Sequence, residues 1–485
     1  MKKYIFILLS LLTLASCSKD KQDNESWKNL DESSRQRYFV NQFAYNMISV
    51  YYLWKDEIAD GLKLWKTTDD PIAKVRELRY KDATGKDIDK WTVVTDDFES
   101  FQGQVTGNTK SMGFDFNLYY ADASKEYVAI IINFTYPDSP AYEAGIKRGD
   151  VIVALDDEVL TPANYKALIN STILGGGSAK LTFADGSEKS LTAVQMYLNP
   201  VTCYKVIEKG GRKIGYLHFA SFTLDAAPDL VNVFRDFTNS GITELVLDLR
   251  YNGGGYMTTS EVLSSLIAPP DYVEAGAIFQ RDIYNSILTE AWGESITRFT
   301  TDFSIEGTLG DYTVSTKGIN PGISKLHVIM TGSSASASES TVCGLMPYMD
   351  ISLVGQKSYG KYCGGYIVDG KYWYDLYKSE MSEESYNAGI KYTDNWGVYV
   401  MVSRYADKDG NTPCMPDGFQ PDIEVEDNPL DGHQLGDEDE TMLAAALAGK
   451  APAAKREAGT RSHFRLLEEQ YERPNYAIYS NLRHK

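Results

Sequence analysis

The sequence predicts a multidomain α/β protein with a helical N-terminal cap, a β-rich middle and an α/β core. Three observations predict it. A strand at 213–219 and almost wholly apolar runs at 244–249, 326–330 and 351–354 alternate with an amphipathic helix at 228–239, between the first two, and a helix at 338–348, between the last two, the pattern of buried parallel strands joined by helices. Residues 107–197 carry short apolar runs separated by glycine turns, which predicts strands and hairpins. Between Asp31 and Gly61 the apolar residues Phe39, Phe43, Met47, Val50 and Leu53 recur at three- and four-residue steps, a helical period.

The chain has 485 residues, enough for several cores, and a net charge of −19. That charge argues against nucleic acid or an anionic membrane surface as a general partner. The N-terminus reads as a targeting segment. Lys2 and Lys3 precede an apolar run from Tyr4 to Leu14, too short to span a bilayer. It ends in Leu14-Ala15-Ser16-Cys17, which resembles a bacterial lipobox, so residues 1–17 are expected to be a lipoprotein signal peptide. Acylation of Cys17 would anchor the chain in a cell envelope, on the periplasmic or outer face of an outer membrane. Residues 18–30 then read as a polar tether.

The helical N-terminal domain is expected over 31–106, with Asp89-Lys90-Trp91-Thr92 leading to its end. Over 107–197, Ser111-Met112-Gly113-Phe114-Asp115-Phe116 precedes an apolar strand at 127–134. Then come Ser139-Pro140-Ala141, Ala144-Gly145-Ile146, Gly149-Asp150-Val151-Ile152, a short helix at 164–170, and two expected hairpin turns at Gly175-Gly176-Gly177 and Ala184-Asp185-Gly186. This order resembles a PDZ domain. The resemblance implies a peptide site at Met112, Gly113, Phe114 and Phe116, where backbone amides hold a carboxylate and the peptide adds as a strand. The α/β core is expected over 198–449, and 450–485 as linker and tail. The aromatic-rich stretch 272–324 carries no clear period.

Three segments carry candidate chemistry. Thr331-Gly332-Ser333-Ser334-Ala335-Ser336-Ala337-Ser338-Glu339 lies between a buried strand and a helix. A serine there can be a nucleophile at a helix N-terminus, or the run can simply be N-capping residues. Lys361 follows the strand 351–354 and Gly360; pointed inward, its pKa would fall and the neutral amine could act as a base. Asp248-Leu249-Arg250-Tyr251-Asn252-Gly253-Gly254-Gly255 ends a buried strand in bare amides, which can serve an oxyanion.

Together these segments resemble the S41 family of C-terminal processing peptidases. Asp-Leu-Arg-x-Asn-x-Gly-Gly, Ser-Ala-Ser-Ala-Ser-Glu and Val-Gly-x-x-x-x-Gly-Lys occur in the family's order. The resemblance implies a core of the ClpP/crotonase kind, serine endopeptidase activity through an acyl-enzyme, and protein or peptide substrates. By it, Ser336 is the nucleophile, Lys361 the base, and the amides of Gly254 and Ala337 form the oxyanion hole. No cofactor is implied, and neither the cysteine spacing nor any HExxH motif suggests a metal.

The histidines are consistent with this: His218 and His327 fall in apolar strands, His463 and His484 in the tail, and His433 alone could compete as a base. Many S41 members have a glutamine four residues after the lysine, supporting its amine; here that position is Gly365. Another group must hold Lys361, with Tyr359, Tyr362 and Ser338 as candidates. A rival reading follows from the same departure: a weak or inactive S41-like lipoprotein that binds peptides or apolar ligands. Cys203, Cys343, Cys363 and Cys414 permit disulfides or buried thiols equally.

Overall fold

A computed structural model describes residues 25–308, 310–451, 465–467 and 478–479. Cys17, His463 and His484 lie outside the described residues.

The core is built on the predicted apolar runs. Arg212–Phe219, Glu244–Asp248, Lys325–Met330 and Asp350–Gly355 pair in parallel in that order, with Val201–Lys209 antiparallel on one edge and Ile423–Glu424 on the other. The runs lack polar alternation because both faces are covered. Leu245 and Leu247 pack in the large cluster with the helices Ala227–Ser240 and Met257–Ile267. Val246 packs on the opposite face with Ile329, Val354 and the helix Thr441–Ala448. Each buried leucine or valine contributes about 1.5–3 kcal/mol.

The unplaced stretch 272–324 supplies antiparallel pairs. Its strand Ile278–Tyr284 lies between Ser295–Arg298 and Gly397–Ala406, and the last of these also pairs with Cys363–Asp369. The N-terminal segment does not keep a core to itself. Its helix Glu32–Tyr51, capped by Asp31, buries Phe39, Phe43 and Met47 in the same cluster as Leu247 and Val400. Its strand Val93–Thr95 pairs with Gly397–Ala406.

The β-rich middle has its own core, formed by Phe114, Phe116, Ile130, Ile152, Ile169 and neighbours. Ala184-Asp185-Gly186 is a hairpin turn between Ser178–Phe183 and Glu188–Thr192, as expected. Gly175-Gly176-Gly177 is not. It follows the helix Tyr165–Ser171 and returns the chain to a strand, a job glycine does equally well because Gly176 sits at φ 67°. Arg465–Leu466 adds antiparallel to the edge strand Phe114–Tyr120.

A buried ionic cluster ties the middle domain to the core. Arg250, wholly buried, bonds Asp248, Asp427 and both carboxylate oxygens of Glu440. From the middle domain, Arg148 reaches the same Asp427 at 2.6 Å and the Tyr251 hydroxyl at 2.7 Å. Burial opposes charging Asp427, but Arg148 and Arg250 outweigh it and hold the pKa down to about 2. All four cysteines 203, 343, 363 and 414 are free thiols.

Candidate active site

Ser336 ends the turn after the buried strand Lys325–Met330 and caps the helix Ala337–Leu345, with φ 62° and ψ −114°. A serine pays roughly 1–3 kcal/mol to occupy such a region, and strain of this kind collects at functional sites. The neighbouring serines behave differently. Ser334 donates its hydroxyl to the Leu249 carbonyl, and Ser338 donates to the Asn252 carbonyl. The Ser336 hydroxyl is buried with no hydrogen-bond partner among the described residues. Ser334 and Ser338 therefore fasten the turn, and Ser336 is the hydroxyl left over. Ser338 consequently does not support Lys361.

Glu339, three residues on, is the organising group that motif reading left without a role. It is fully buried, and its carboxylate accepts N–H bonds from Ser336 at 3.1 Å, Gly360 at 2.7 Å and Lys361 at 2.8 Å, besides the Ser358 hydroxyl. Burial pushes its pKa up, and these donors oppose the rise. A single oxygen, Oε2, takes the N–H groups of both Ser336 and Lys361. The Tyr405 hydroxyl bridges the same two residues from the carbonyl side, 3.4 Å from the Ser336 oxygen and 2.9 Å from the Lys361 oxygen.

Lys361 is 1% exposed. Its amine lies 3.2 Å from the Tyr399 hydroxyl, 5.3 Å from that ring's centre and 5.2 Å from the centre of Trp91. Burial pulls its pKa down to about 8, against weaker opposing pulls from Cys363, Asp89 and Glu339. The Asp89-Lys90-Trp91-Thr92 segment is held by Asp89, whose carboxylate accepts the Trp91 and Thr92 N–H groups and the Tyr52 hydroxyl. Of the other candidate supports, Tyr359 packs beside Trp91. Tyr362 lines a cavity of about 370 Å³ with Trp54, Glu57 and Arg404.

The glycine turn meets the serine directly. A Cβ on Gly254 would stand 2.7 Å from Ser336 Cβ and 2.9 Å from the Ala337 nitrogen, so only glycine fits. Here the Gly254 N–H donates to Asn252 Oδ1 at 2.9 Å. Among the described residues no histidine bonds the serine. His218 pairs with Thr202 and burial lowers its pKa to about 4; His327 lies 3.7 Å from Glu244; His433 pairs with Asp437, which raises its pKa. Among the described residues no His/Cys/Asp/Glu cluster could hold a metal.

In the middle domain, Met112, Gly113, Phe114 and Phe116 share one turn and strand. Gly113 sits at φ 82°, its N–H donates to Ser111 Oγ and its carbonyl accepts from Ser139. Phe114 and Phe116 are largely buried in the domain core.

The family model for peptidase family S41 matches residues 213–425, the stretch holding Ser336, Glu339 and Lys361. The chain carries a peptidase S41 domain. It is thereby a serine-type peptidase. A PDZ domain model matches 134–173, and the prokaryotic membrane lipoprotein lipid attachment site matches 1–18. That attachment site supports a lipid-anchored place in the cell envelope; no helix among the described residues is long and apolar enough to cross a membrane.

Among relatives, this chain is 23% identical over 360 residues to the carboxyl-terminal-processing protease of Picosynechococcus, covering 72% of each chain. It is 26% identical over 349 residues to the chloroplastic C-terminal processing peptidase of Tetradesmus obliquus, covering 67% of this chain and 61% of that one. In fold it is similar to a crystal structure from Bacteroides fragilis assigned as an S41 protease, with TM-score 0.62, 21% identity, and coverage of 84% of this chain and 96% of that one.

Proposed function

We propose that this chain is a lipid-anchored C-terminal-processing endopeptidase with Ser336 as nucleophile and Lys361 as general base. The observation that carries the reading is the double bridge: one Glu339 oxygen and one Tyr405 hydroxyl each span both residues. As Ser336 Oγ bonds the peptide carbonyl carbon, its proton passes to Lys361 Nζ. The resulting oxyanion is taken by the amides of Gly254 and Ala337, the former exchanging Asn252 Oδ1 for the substrate oxygen. The C–N bond then breaks as the ammonium returns the proton to the leaving amine. Water, deprotonated by the same amine, hydrolyses the Ser336 ester and restores both groups.

The domain limits 31–106, 107–197 and 198–449 belong to the same proposal, as does Cys17 as the acylated residue. Substrates are taken by their C-termini on the PDZ-like domain. Addition of Arg465–Leu466 to Phe114–Tyr120 supports this, because it shows that edge accepting a strand.

The test is peptide cleavage by Ser336→Ala, Lys361→Ala and Lys361→Arg, with folding checked by circular dichroism. Each is expected to lose at least about 10³-fold in rate, since arginine stays protonated. Ser334→Ala and Ser338→Ala should keep measurable activity. A folded Ser336→Ala protein with full activity refutes the nucleophile. For capture, one peptide is compared as free acid and C-terminal amide. The acid should be cleaved faster, and equal rates discard carboxylate recognition.

A further inference from the structure

We propose that Tyr399 is the positioning residue for the Lys361 amine, standing in the space that a side chain at position 365 would otherwise fill. The inference rests on Lys361 being the base, and three observations carry it. Among the described residues, the Lys361 amine donates its hydrogen bond to the Tyr399 hydroxyl oxygen at 3.2 Å, and no carboxylate pairs with it. A Cβ built on Gly365 would stand 2.6 Å from Tyr399 Cε2, 2.5 Å from the Val400 carbonyl and 2.7 Å from Met401 Cε. Position 365 is therefore glycine because the tyrosine ring and the adjoining strand already occupy its side-chain space. The two residues sit on neighbouring antiparallel strands, and the register shifts between Gly364 and Gly365, so the backbone is adjusted at that point.

The chemistry suits the task. A neutral amine has two N–H donors and one lone pair. When the phenol oxygen accepts one N–H, the lone pair remains available for the serine proton. A phenol carries no charge, so it orients the amine without stabilising the ammonium as a carboxylate would. The Trp91 and Tyr399 rings flank the amine and exclude other donors.

Tyr399→Phe keeps the ring and deletes the hydroxyl. It is expected to lower kcat about 10- to 100-fold with KM within about twofold. The acid limb of the kcat–pH profile should move to lower pH, because the ammonium loses its acceptor. Gly365→Ala keeps the phenol but pushes its ring, and should lower kcat likewise. Ser336 labelling by a fluorophosphonate probe against pH gives the same midpoint without peptide capture. If Tyr399→Phe folds with unchanged kcat and midpoint while Lys361→Ala is inactive, the role of Tyr399 is overturned and the Ser–Lys reading stands. If Lys361→Ala is itself active, the Ser–Lys reading falls first.

A separate observation concerns the strand edge of the middle domain. Arg465 and Leu466 pair with Tyr120 and Tyr119, the Leu467 N–H donates to the Leu118 carbonyl at 3.0 Å, and Leu467, 4% exposed, packs in the cluster with Phe114 and Phe116. We infer that this segment of the chain's own tail is a resident occupant of the peptide-accepting edge and competes with incoming C-termini. The inference rests on the capture reading. In full-length protein, Leu467→Asp should loosen the segment. A labelled synthetic peptide of residues 460–472 should then bind the variant at least about tenfold more tightly than wild type. Equal binding, or none to either protein, overturns the inference; capture itself is judged separately by the acid–amide comparison.

Discussion

Two of the buried cations, Arg250 and Lys361, have opposite surroundings. Arg250 is met by Asp248, Asp427 and Glu440, and despite burial its pKa is raised well above the ordinary value. Lys361 is met by a phenol and an indole, and burial pulls it down to about 8. Near Lys361 both carboxylates are turned to other donors: Asp89 to the Trp91 and Thr92 N–H groups and the Tyr52 hydroxyl, Glu339 to backbone N–H groups and the Ser358 hydroxyl. The comparison teaches that burial alone does not set a cation's role. A cation supplied with carboxylates becomes a permanent joint, and one denied them becomes a group that titrates.

The comparison can be broken most forcefully at the arginine. Arg250→Met leaves Asp248 buried without its cation and Asp427 and Glu440 with Arg148 alone, and should cost about 3–5 kcal/mol in urea unfolding. A loss below about 1 kcal/mol would mean the cluster is not the joint described here.

The same replacement at the lysine should act in the other direction. A lysine whose folded pKa lies below its unfolded value penalises the folded state at pH below about 8, and the penalty fades as pH rises toward the solvated value. Lys361→Met should therefore stabilise the protein by about 1–3 kcal/mol at pH 7, with the gain shrinking near pH 10. Activity sharpens the contrast. Wild-type kcat/KM should rise with pH to a half-maximum near 8, where the free enzyme's amine becomes neutral.

The joint has its own pH signature. Asp427 is depressed to about 2 in the folded state, so its stabilisation is present above its ordinary value near 4 and is lost as pH falls through 2. Asp427→Asn should flatten that acid limb in thermal melts. The smallest effect is expected at His433, paired with Asp437 on the surface: His433→Ala should change cleavage by less than about twofold and stability by less than about 1 kcal/mol.

Much of the core was legible because its signals are local. Runs such as residues 244–249 are apolar on both faces, so they read as buried parallel strands directly. The order of Asn252-Gly253-Gly254, Ser336 and Lys361 carried the S41 resemblance. Two kinds of feature were not legible. Residues 278–284 pair with 397–406, far along the chain, as well as with the nearby 295–298, and neither strand has a clean two-residue alternation, so 272–324 showed no period. Tyr399 supports Lys361 from a strand 38 positions later, and a register shift places it there. Gly365 announced that something was missing, but only the strand pairing shows what fills the space. Glu339 stood in the motif itself; its four donors come from two segments, the turn ending at Ser336 and the loop 356–362, and that convergence is tertiary.

The backbone of Ser336 leads to one more consequence. At φ 62° and ψ −114°, with an unbonded buried hydroxyl, this residue is strained twice over. Alanine would remove the orphaned oxygen, and glycine would remove the Cβ strain as well. The melting temperatures should then rank glycine above alanine above serine at this position. The native residue would be the least thermostable of the three, so a selection for heat resistance alone would tend to discard the hydroxyl on which the proposed chemistry depends.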